Sequence, residues 1–227
     1  MSTQTSATVS SHEQVRRLRR LDCCAVSDAL DRLKLGGVVT SVPQRSGAGR
    51  IAGIVITVQL GIGEPPTGQA RHLGTTAVEA GGPDNVIVIE QTTGIDAGSW
   101  GGLLSLGAKV RNIAGVLADG PVRDIDEARA YEFPVFSTAL TSRTARGRIV
   151  EKATNIPVRV WGVDVSPGDY AIADNSAVIF IRAADIEAVL ATAETIAARE
   201  AAMAKALLAG KPISQVMGAD YEHMLQR

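Results

Sequence analysis

The sequence places an arginine and an aspartate side by side, Arg123-Asp124, shortly after a predicted buried strand, Ile113 to Ala118. A guanidinium can hold a carboxylate through two parallel hydrogen bonds, and an aspartate is a hard oxygen ligand that suits Mg²⁺ or Mn²⁺. Ligands of open α/β sheets bind at the carboxyl ends of strands, which is where this pair would lie. The pair therefore predicts a site for a small anionic molecule and a divalent metal ion.

A glycine-rich helix start provides a second candidate for anion binding. It consists of Gly101, Gly102, Leu103 and Leu104. Glycine has no side chain, so backbone N–H groups can approach an anion closely, and a helix N-terminus favours negative charge. This backbone is therefore a predicted substrate-binding segment.

A purely structural interpretation of the same residues stays open. Asp124 and Glu127 have the spacing of a capping box, in which an aspartate caps a helix and a glutamate three residues later bonds back. Asp126 would complement the dipole of that helix. In this interpretation Arg123 is a surface residue without a role in chemistry.

Several other catalytic motifs are absent from the sequence. The chain has no G-x-S-x-G nucleophile elbow, no H-E-x-x-H, no C-x-x-C and no Walker A loop. Gly47, Gly49 and Gly53 approach a dinucleotide fingerprint, but their spacing is wrong. They also precede a predicted strand, whereas the fingerprint follows one.

The stretch from Gly101 to Glu127 resembles the RraA-like family, which includes 4-hydroxy-4-methyl-2-oxoglutarate and 4-carboxy-4-hydroxy-2-oxoadipate aldolases. The family pattern is a glycine-rich helix start, a strand, then Gly-x-x-Arg-Asp and an acid three residues on. The matching segments here are Gly101-Gly102-Leu103-Leu104, Gly120-Pro121-Val122-Arg123-Asp124 and Glu127. Supporting matches are Phe133-Pro134-Val135-Phe136, Pro167-Gly168-Asp169 and Ala173-Asp174-Asn175.

The resemblance implies a metal-dependent lyase that cleaves a 4-hydroxy-2-oxo di- or tricarboxylic acid to pyruvate and a second oxo acid. Decarboxylation of oxaloacetate would use the same chemistry. The pyruvoyl part of the substrate would lie across the backbone of Gly101 to Leu104 and beside Arg123. Asp124 would hold Mg²⁺ or Mn²⁺. The family forms homotrimers or homohexamers with sites between subunits, so Glu200 of the terminal helix would reach in from a neighbour, with Glu194 as second choice.

One position departs from the aldolase pattern. Many aldolase members carry an aspartate or glutamate where this chain has Gly102, and that acid supports the water shell of the metal. The alternative function is a non-catalytic RraA-type ring protein that binds and regulates an RNase or another partner. Members of that type tend to lack the aspartate after the arginine, so Asp124 favours chemistry.

The elements that must position these residues alternate between strands and helices in the middle of the chain. Predicted strands and helices there are Ile54 to Leu60, Thr75 to Ala80, Val86 to Ile89, Gly102 to Asn112, Ile113 to Ala118, Asp124 to Tyr131 and Pro134 to Ser137. Asp119-Gly120-Pro121 is predicted as a turn. Further on, Val158 to Val165 and Tyr170 to Ala173 form a predicted hairpin, followed by a strand, Ala177 to Ile181.

The fold class is therefore α/β, a compact single domain with a mixed β-sheet core flanked by helices. Helices are also predicted at Val15 to Leu21 and Ala25 to Leu35. A long alanine-rich helix from about Asp185 to Ala209 would pack against its own domain or another subunit.

Composition limits the location and the partners. The chain has 227 residues and a formal net charge of −1, so it lacks the positive field that nucleic acid requires. No apolar run reaches the ~20 residues of a membrane-spanning helix. Two adjacent cysteines provide no disulfide framework, which indicates a reducing compartment such as the cytoplasm. Residues 1–12 are predicted to be a disordered tail without a signal peptide, and residues 13–227 a single domain.

Overall fold

The computed structural model describes residues 10–64 and 71–218. Its strands are β1 Val38–Val39, β2 Gln44–Ser46, β3 Ile51–Gly61, β4 Asn85–Glu90, β5 Gly115–Val122, β6 Val135–Leu140, β7 Val150–Thr154, β8 Val158–Val160, β9 Val163–Val165, β10 Tyr170–Ala173 and β11 Val178–Ile181. Its helices are α1 Ser11–Leu18, α2 Cys23–Leu33, α3 Thr75–Ala80, α4 Gly102–Val110, α5 Ile125–Ala130, α6 Ile186–Leu208 and α7 Ile213–Val216. The predicted α/β class and the long C-terminal helix are confirmed.

One large mixed sheet forms the centre of the fold. Its strand order is β1-β11-β10-β3-β4-β5-β6-β2, and β7 pairs with the far end of β3. Strands β3, β4, β5 and β6 are parallel, whereas β1, β2, β7, β10 and β11 pair antiparallel with their neighbours. Parallel neighbours bring their carboxyl ends to one edge, so the loops that follow β4 and β5 meet there.

The two faces of the sheet carry different layers. On β4, Ile87 and Ile89 face the helices, and Val86 and Val88 face the β8–β9 hairpin. Both sets are buried, so the strand reads as a continuous apolar run, as expected for a strand covered on both faces. Helices α3, α4 and α5 contribute to one cluster on the helical face, and α1, α2 and α6 contribute to a neighbouring one.

Helix α1 begins inside the predicted tail. Its N-cap is Ser10, whose hydroxyl accepts a hydrogen bond from the N–H of Glu13 at 3.3 Å. Ser11 and His12 belong to this capped helix, so the tail prediction is wrong for these two residues. The earlier part of the predicted tail, residues 1–9, lies outside the described residues.

The predicted turn at Asp119-Gly120-Pro121 is wrong, because these residues continue β5. The pairing of β5 with β6 shifts register between Ala118 and Pro121. Gly120 has a φ of +151°, which glycine tolerates, and an irregularity of this kind also accommodates a proline that cannot donate to the ladder. The irregular strand delivers Arg123 and Asp124 to the sheet edge.

The predicted hairpin between Val158 to Val165 and Tyr170 to Ala173 is also wrong. The first segment folds on itself as the β8–β9 hairpin, and β10 pairs with β3 and β11. The hairpin turns at Trp161 and Gly162, whose φ values are +47° and +83°. Tryptophan is an unusual residue in this conformation, and tertiary contacts hold it there. Its ring stacks on Phe180, and its backbone N–H donates to Asp119 Oδ2 at 2.9 Å.

Helix α6 has a packed half and an exposed half. Five buried residues of its first half face the α2 side of the core: Ile186, Val189, Leu190, Ala193 and Ile196. Arg17 of α1 donates to both Glu187 and Glu194 and thereby fixes this half of α6 to α1. The end of α6 is solvent-facing, with Leu208 91% exposed. Although α6 is 23 residues long, neither it nor any other described helix is apolar enough to cross a membrane.

Asp174 joins the start of α2 to the β10–β11 turn. Its carboxylate accepts from the N–H groups of Cys23 at 3.0 Å and Ser176 at 2.8 Å. Burial alone would raise the pKa of Asp174, but these hydrogen bonds to the charged form outweigh it and hold the pKa below its ordinary value. The ionised carboxylate therefore stabilises the folded state.

Replacing Asp174 with asparagine is expected to lower the free energy of unfolding by about 1–3 kcal/mol at pH 7, since an amide cannot accept from both N–H groups. The folded pKa is lowered, so the stabilisation is present above the ordinary aspartate pKa of about 3.9 and is lost as the pH falls through the folded value. Urea denaturation of both proteins between pH 7 and pH 3 would show the difference shrinking in acid. Asp164→Asn, at an exposed ion pair with Arg159, is the matched control and should change little. A pH-independent difference for Asp174→Asn contradicts the assignment.

Candidate functional site

The loop before α4 is bound to the end of β5. The N–H of Arg123 donates to the carbonyl of Trp100 at 3.0 Å. Both the N–H and the hydroxyl of Ser99 donate to the carbonyl of Pro121, at 2.8 Å and 2.9 Å. These bonds bring the two segments singled out in the sequence, Gly101 to Leu104 and Arg123-Asp124, into one site.

The carboxylate of Asp124 connects Arg123 to the start of α4. Its Oδ1 accepts from Arg123 Nε at 3.0 Å, and its Oδ2 accepts from the N–H of Gly102 at 3.2 Å. A guanidinium and a helix N-terminus both favour a negative charge at this position. The side chain of Asp124 remains 35% exposed, so it can still meet a ligand.

The capping-box interpretation of Asp124 is wrong. Asp124 occupies the N-cap position of α5, but its side chain makes no capping bond to that helix. Its backbone is left-handed, with a φ of +53°, and this turns the carboxylate toward α4 instead. Aspartate is one of the few residues that visit this region, at a modest energetic cost.

One side of the Arg123 guanidinium is hydrogen-bonded, and the other side is open. The Nε atom bonds to Asp124, and among the described residues no acceptor contacts the two terminal nitrogens. The side chain is 34% exposed. The terminal nitrogens are therefore placed to donate to a small anion beside Asp124.

The backbone at the start of α4 offers further donors. The N–H of Gly102 is used by Asp124, whereas the N–H groups of Leu103 and Leu104 have no acceptor within the part of the chain that the structure describes. The side chain of Leu104 is buried, and that of Leu103 is 85% exposed. The N–H groups of this helix start therefore lie directly beside Asp124, and binding of an anion there stays a prediction.

Gly102 lies between two acidic residues. A Cβ added at Gly102 would lie 3.1 Å from Glu127 Cβ and 3.2 Å from Asp124 Cβ. An acid at this position would therefore project next to Asp124, where the aldolase pattern has its additional carboxylate. Compared with the aldolase pattern, this chain therefore lacks one carboxylate within the candidate site.

Trp100 and Ser105 hold the helix start in place, and the sequence analysis did not identify them. The indole N–H of Trp100 donates to Ser105 Oγ at 2.9 Å, and that hydroxyl donates to the carbonyl of Gly101 at 3.1 Å. The Trp100 ring is buried and stacks on Phe133 with centroids 6.3 Å apart. An aromatic residue next to two glycines was the only signal for this role in the sequence.

The two glutamates named on α6 have different environments. Both carboxylate oxygens of Glu194 accept from Arg17, so Glu194 is engaged within its own chain. Glu200 lies near Asp22 and Asp28 of the α2 region, and burial together with these two negative charges raises its pKa. Within one chain, the described residues include no contact of Glu200 with Arg123 or Asp124.

Asp124 is the carboxylate at this site that a divalent metal could bind. Among the described residues, no group of three or more histidine, cysteine, aspartate or glutamate side chains could hold a metal ion. Mg²⁺ commonly keeps several waters and binds through one or two carboxylates plus substrate oxygens. Asp124, with free lone pairs on both oxygens and an open side, fits a metal site of that water-rich kind.

Comparison with known proteins places this geometry in a family context. The model of the RraA-like family, described as Aldolase/RraA, matches residues 23–180. Protein DlpA of Legionella pneumophila is 28% identical over 201 residues, which cover 88% of this chain and 32% of DlpA. The chain therefore spans about a third of the length of that relative.

A second relative is similar in length to this chain. A Halalkalibacterium halodurans protein named "Putative 4-hydroxy-4-methyl-2-oxoglutarate aldolase" is 28% identical over 197 residues, covering 85% of this chain and 88% of that protein. In fold, the crystal structure of an uncharacterized protein from Pseudomonas syringae pv. tomato superposes with a TM-score of 0.80 at 24% identity, covering 93% of this chain and 100% of that one.

Replacing Gly102 with aspartate is expected to increase the affinity for Mg²⁺ at least several-fold, because it places a second carboxylate beside Asp124 at a helix N-terminus. Isothermal titration with MgCl₂ measures the change. Gly102→Asn, which has nearly the same shape but no charge, is the control and should not gain affinity. If both variants bind Mg²⁺ as the natural protein does, Asp124 is not part of a metal site.

Proposed function

The chain belongs to the RraA-like family, and from this premise we propose that it is a divalent-metal-dependent lyase releasing pyruvate from a 4-hydroxy-2-oxo acid. The contact of the Asp124 carboxylate with both Arg123 and the α4 N-terminus carries the proposal. The name of the Halalkalibacterium halodurans relative agrees with it. The substrate class is a 4-hydroxy-2-oxo di- or tricarboxylate, with oxaloacetate as a second substrate.

Binding of the pyruvoyl group follows from the donors at the site. The substrate carboxylate would accept from the unpaired N–H groups of Leu103 and Leu104 at the start of α4. The terminal nitrogens of Arg123 would donate to the C2 oxygen, where negative charge develops as the C3–C4 bond breaks. Asp124 holds Arg123 in this direction through the Nε bond of 3.0 Å.

The metal ion would be held by Asp124 together with waters and substrate oxygens. When bound, Mg²⁺ or Mn²⁺ supplies Lewis acidity at the C2 oxo group. Asp124 would therefore have two tasks, orienting the guanidinium of Arg123 and holding the ion.

Proton transfer needs a base near the C4 hydroxyl. Loss of the hydroxyl proton allows the C3–C4 electron pair to move into the C2 enolate, and C4 leaves as the carbonyl of the second oxo acid. A proton then adds at C3 to give pyruvate. Glu200 of a neighbouring subunit is the proposed base, and burial together with the charges of Asp22 and Asp28 raises its pKa, which makes it a stronger base than an ordinary glutamate.

Assembly into homotrimers or homohexamers is part of the proposal, since Glu200 can act only on the site of another copy. An apolar stripe on α4 supports this assembly. Leu103, Leu106 and Val110 are 85%, 38% and 73% exposed. They lie on one side of the helix next to the candidate site, where a second subunit would cover them.

The proposed activity is tested by a lactate-dehydrogenase-coupled pyruvate assay. The substrates are 4-hydroxy-4-methyl-2-oxoglutarate, 4-carboxy-4-hydroxy-2-oxoadipate and oxaloacetate, each with Mg²⁺ and with EDTA. Asp124→Asn and Arg123→Ala are expected to lower kcat/KM by roughly 100-fold or more. Arg123→Ala removes the positive charge at the enolate oxygen, and Asp124→Asn removes the carboxylate that would hold the metal ion and that orients Arg123. Asp126→Asn, two residues from Asp124 and 88% exposed, is the control and should keep its activity.

Absence of pyruvate from all three substrates, in a protein that is folded, would contradict the lyase proposal. The non-catalytic ring protein that binds an RNase or another partner would then be the better function. Normal turnover by Asp124→Asn would show instead that the chemistry lies elsewhere in the protein.

Two charges on the α4 stripe are expected to break the assembly. Leu106→Glu combined with Val110→Glu would shift the mass measured by multi-angle light scattering from an oligomer toward the monomer. The reason is that association would bury two negative charges against an apolar surface that offers them no partner. Pyruvate release should fall with it. Val38→Glu, at an exposed apolar residue on the edge strand β1, is the control. An unchanged oligomer in the double variant would remove α4 from the interface.

A further inference from the structure

We propose that Gln91 and Gly98, which lie behind the candidate site, are positioning residues that set the direction of the Arg123 guanidinium. The inference rests on the proposed function for its meaning in catalysis, but the positioning itself can be measured without activity. Four sets of contacts carry it.

Gly98 lies directly under the stem of Arg123. A Cβ added at Gly98 would lie 2.8 Å from Arg123 Cγ, 2.9 Å from Cδ and 3.2 Å from Cβ. Real Cβ atoms do not approach carbon this closely, so any side chain at position 98 must move the arginine or the loop.

The loop cannot easily retreat from that contact. The N–H of Gly98 donates to the carbonyl of Arg143 at 2.9 Å, and the next residue, Ser99, is bonded twice to Pro121. The backbone around Gly98 is thus held on both sides of the arginine stem. Because Gly98 has no side chain, the aliphatic part of Arg123 can lie directly against the backbone at Gly98.

Gln91 fixes the same loop through hydrogen bonds from its side-chain amide. It follows β4, is 6% exposed, and its Nε2 donates to the carbonyls of Ile95 at 3.2 Å and Ala97 at 3.0 Å. Its own N–H donates to the carbonyl of Asp119 at 3.0 Å. A buried amide with two such bonds fixes the loop immediately before Gly98.

Gln91 also contacts the strand that leads to Arg123. A Cβ added at Gly120 would lie 2.9 Å from both Cβ and Oε1 of Gln91. Gln91 therefore lies between the loop that supports the arginine stem and the irregular part of β5 that carries Arg123. A substitution at Gln91 should therefore shift this loop relative to β5.

The consequence for Arg123 follows from its single anchored nitrogen. With the stem lying on Gly98, Nε reaches Asp124 at 3.0 Å, and in this position the terminal nitrogens would donate to the substrate. Raising the stem by one methyl group would break the Nε bond and redirect the terminal nitrogens. Small displacements of this kind can cost up to 100-fold in turnover.

The variants are Gly98→Ala, which raises the stem, and Gln91→Glu, which keeps the shape but replaces the amide donor with an acceptor. Gly107→Ala on α4 is the control, because an added Cβ there meets Val78 at an ordinary 3.4 Å. Thermal denaturation identifies any variant that fails to fold. The folded variants then provide the test, and either one alone is sufficient.

The first readout needs no activity. The Arg123 Nε–H resonance is identified in ¹⁵N spectra by its loss in Arg123→Lys, and its exchange with water is measured. Exchange should accelerate at least 10-fold in Gly98→Ala and Gln91→Glu, because the bond to Asp124 is lost, and should be unchanged in Gly107→Ala. Unchanged exchange in both folded variants overturns the proposal, whatever the activity of the protein.

The second readout is the Kd for pyruvate, used as the probe in the presence of Mg²⁺. Gly98→Ala should weaken binding roughly 10-fold in the natural background and less than 2-fold in an Arg123→Ala background, since it acts through the arginine. Equal effects in the two backgrounds would mean a merely structural role and overturn the proposal. If the natural protein does not bind pyruvate but the exchange readout responds, the positioning stands and the proposed function fails.

Discussion

The carboxylate of Asp124 is the interaction on which the candidate site depends. It joins the guanidinium that follows β5 to the first N–H of α4, so the two halves of the site have a fixed relation. The left-handed backbone at Asp124 makes this possible, because an ordinary helix-start conformation would turn the side chain toward α5. The same carboxylate is the proposed ligand of the metal ion, which would link metal binding to the orientation of Arg123.

The surroundings of this interaction are built from small residues and buried polar groups. Gly98 and Gly102 let the stem of Arg123 and the carboxylate of Asp124 approach the backbone, and Gln91 and Ser105 hold the loop that carries those glycines. This arrangement fixes the polar side chains but leaves them partly exposed, because the neighbouring glycines have no side chains that would cover them. It also explains why an acid at Gly102 would have space beside Asp124 only after a slight adjustment.

Two surface features of the molecule support the proposed assembly. The site lies beside an exposed apolar stripe on α4, and Glu200 lies on a helix whose end projects into solvent. Arg17 fixes the first half of that helix by binding Glu187 and Glu194, whereas Glu200 lies beyond this ion-pair cluster. In the proposed assembly, a second copy would cover the apolar stripe and Glu200 would act on the site of a neighbour.

The resemblance to the RraA-like family implied that Arg123-Asp124 and the glycines of α4 share one site. The sequence by itself determined the α/β class and the order of the central strands and helices. Those features follow from apolar periodicity, glycine positions and local motif spacing, which act over a few residues. Only the tertiary structure decided that Asp124 caps α4 and not α5, that Asp119 to Pro121 continue β5, and that Trp161 turns the β8–β9 hairpin. In each case a contact between distant segments stabilises a conformation that the local sequence does not favour, and such contacts are not visible in residue spacing.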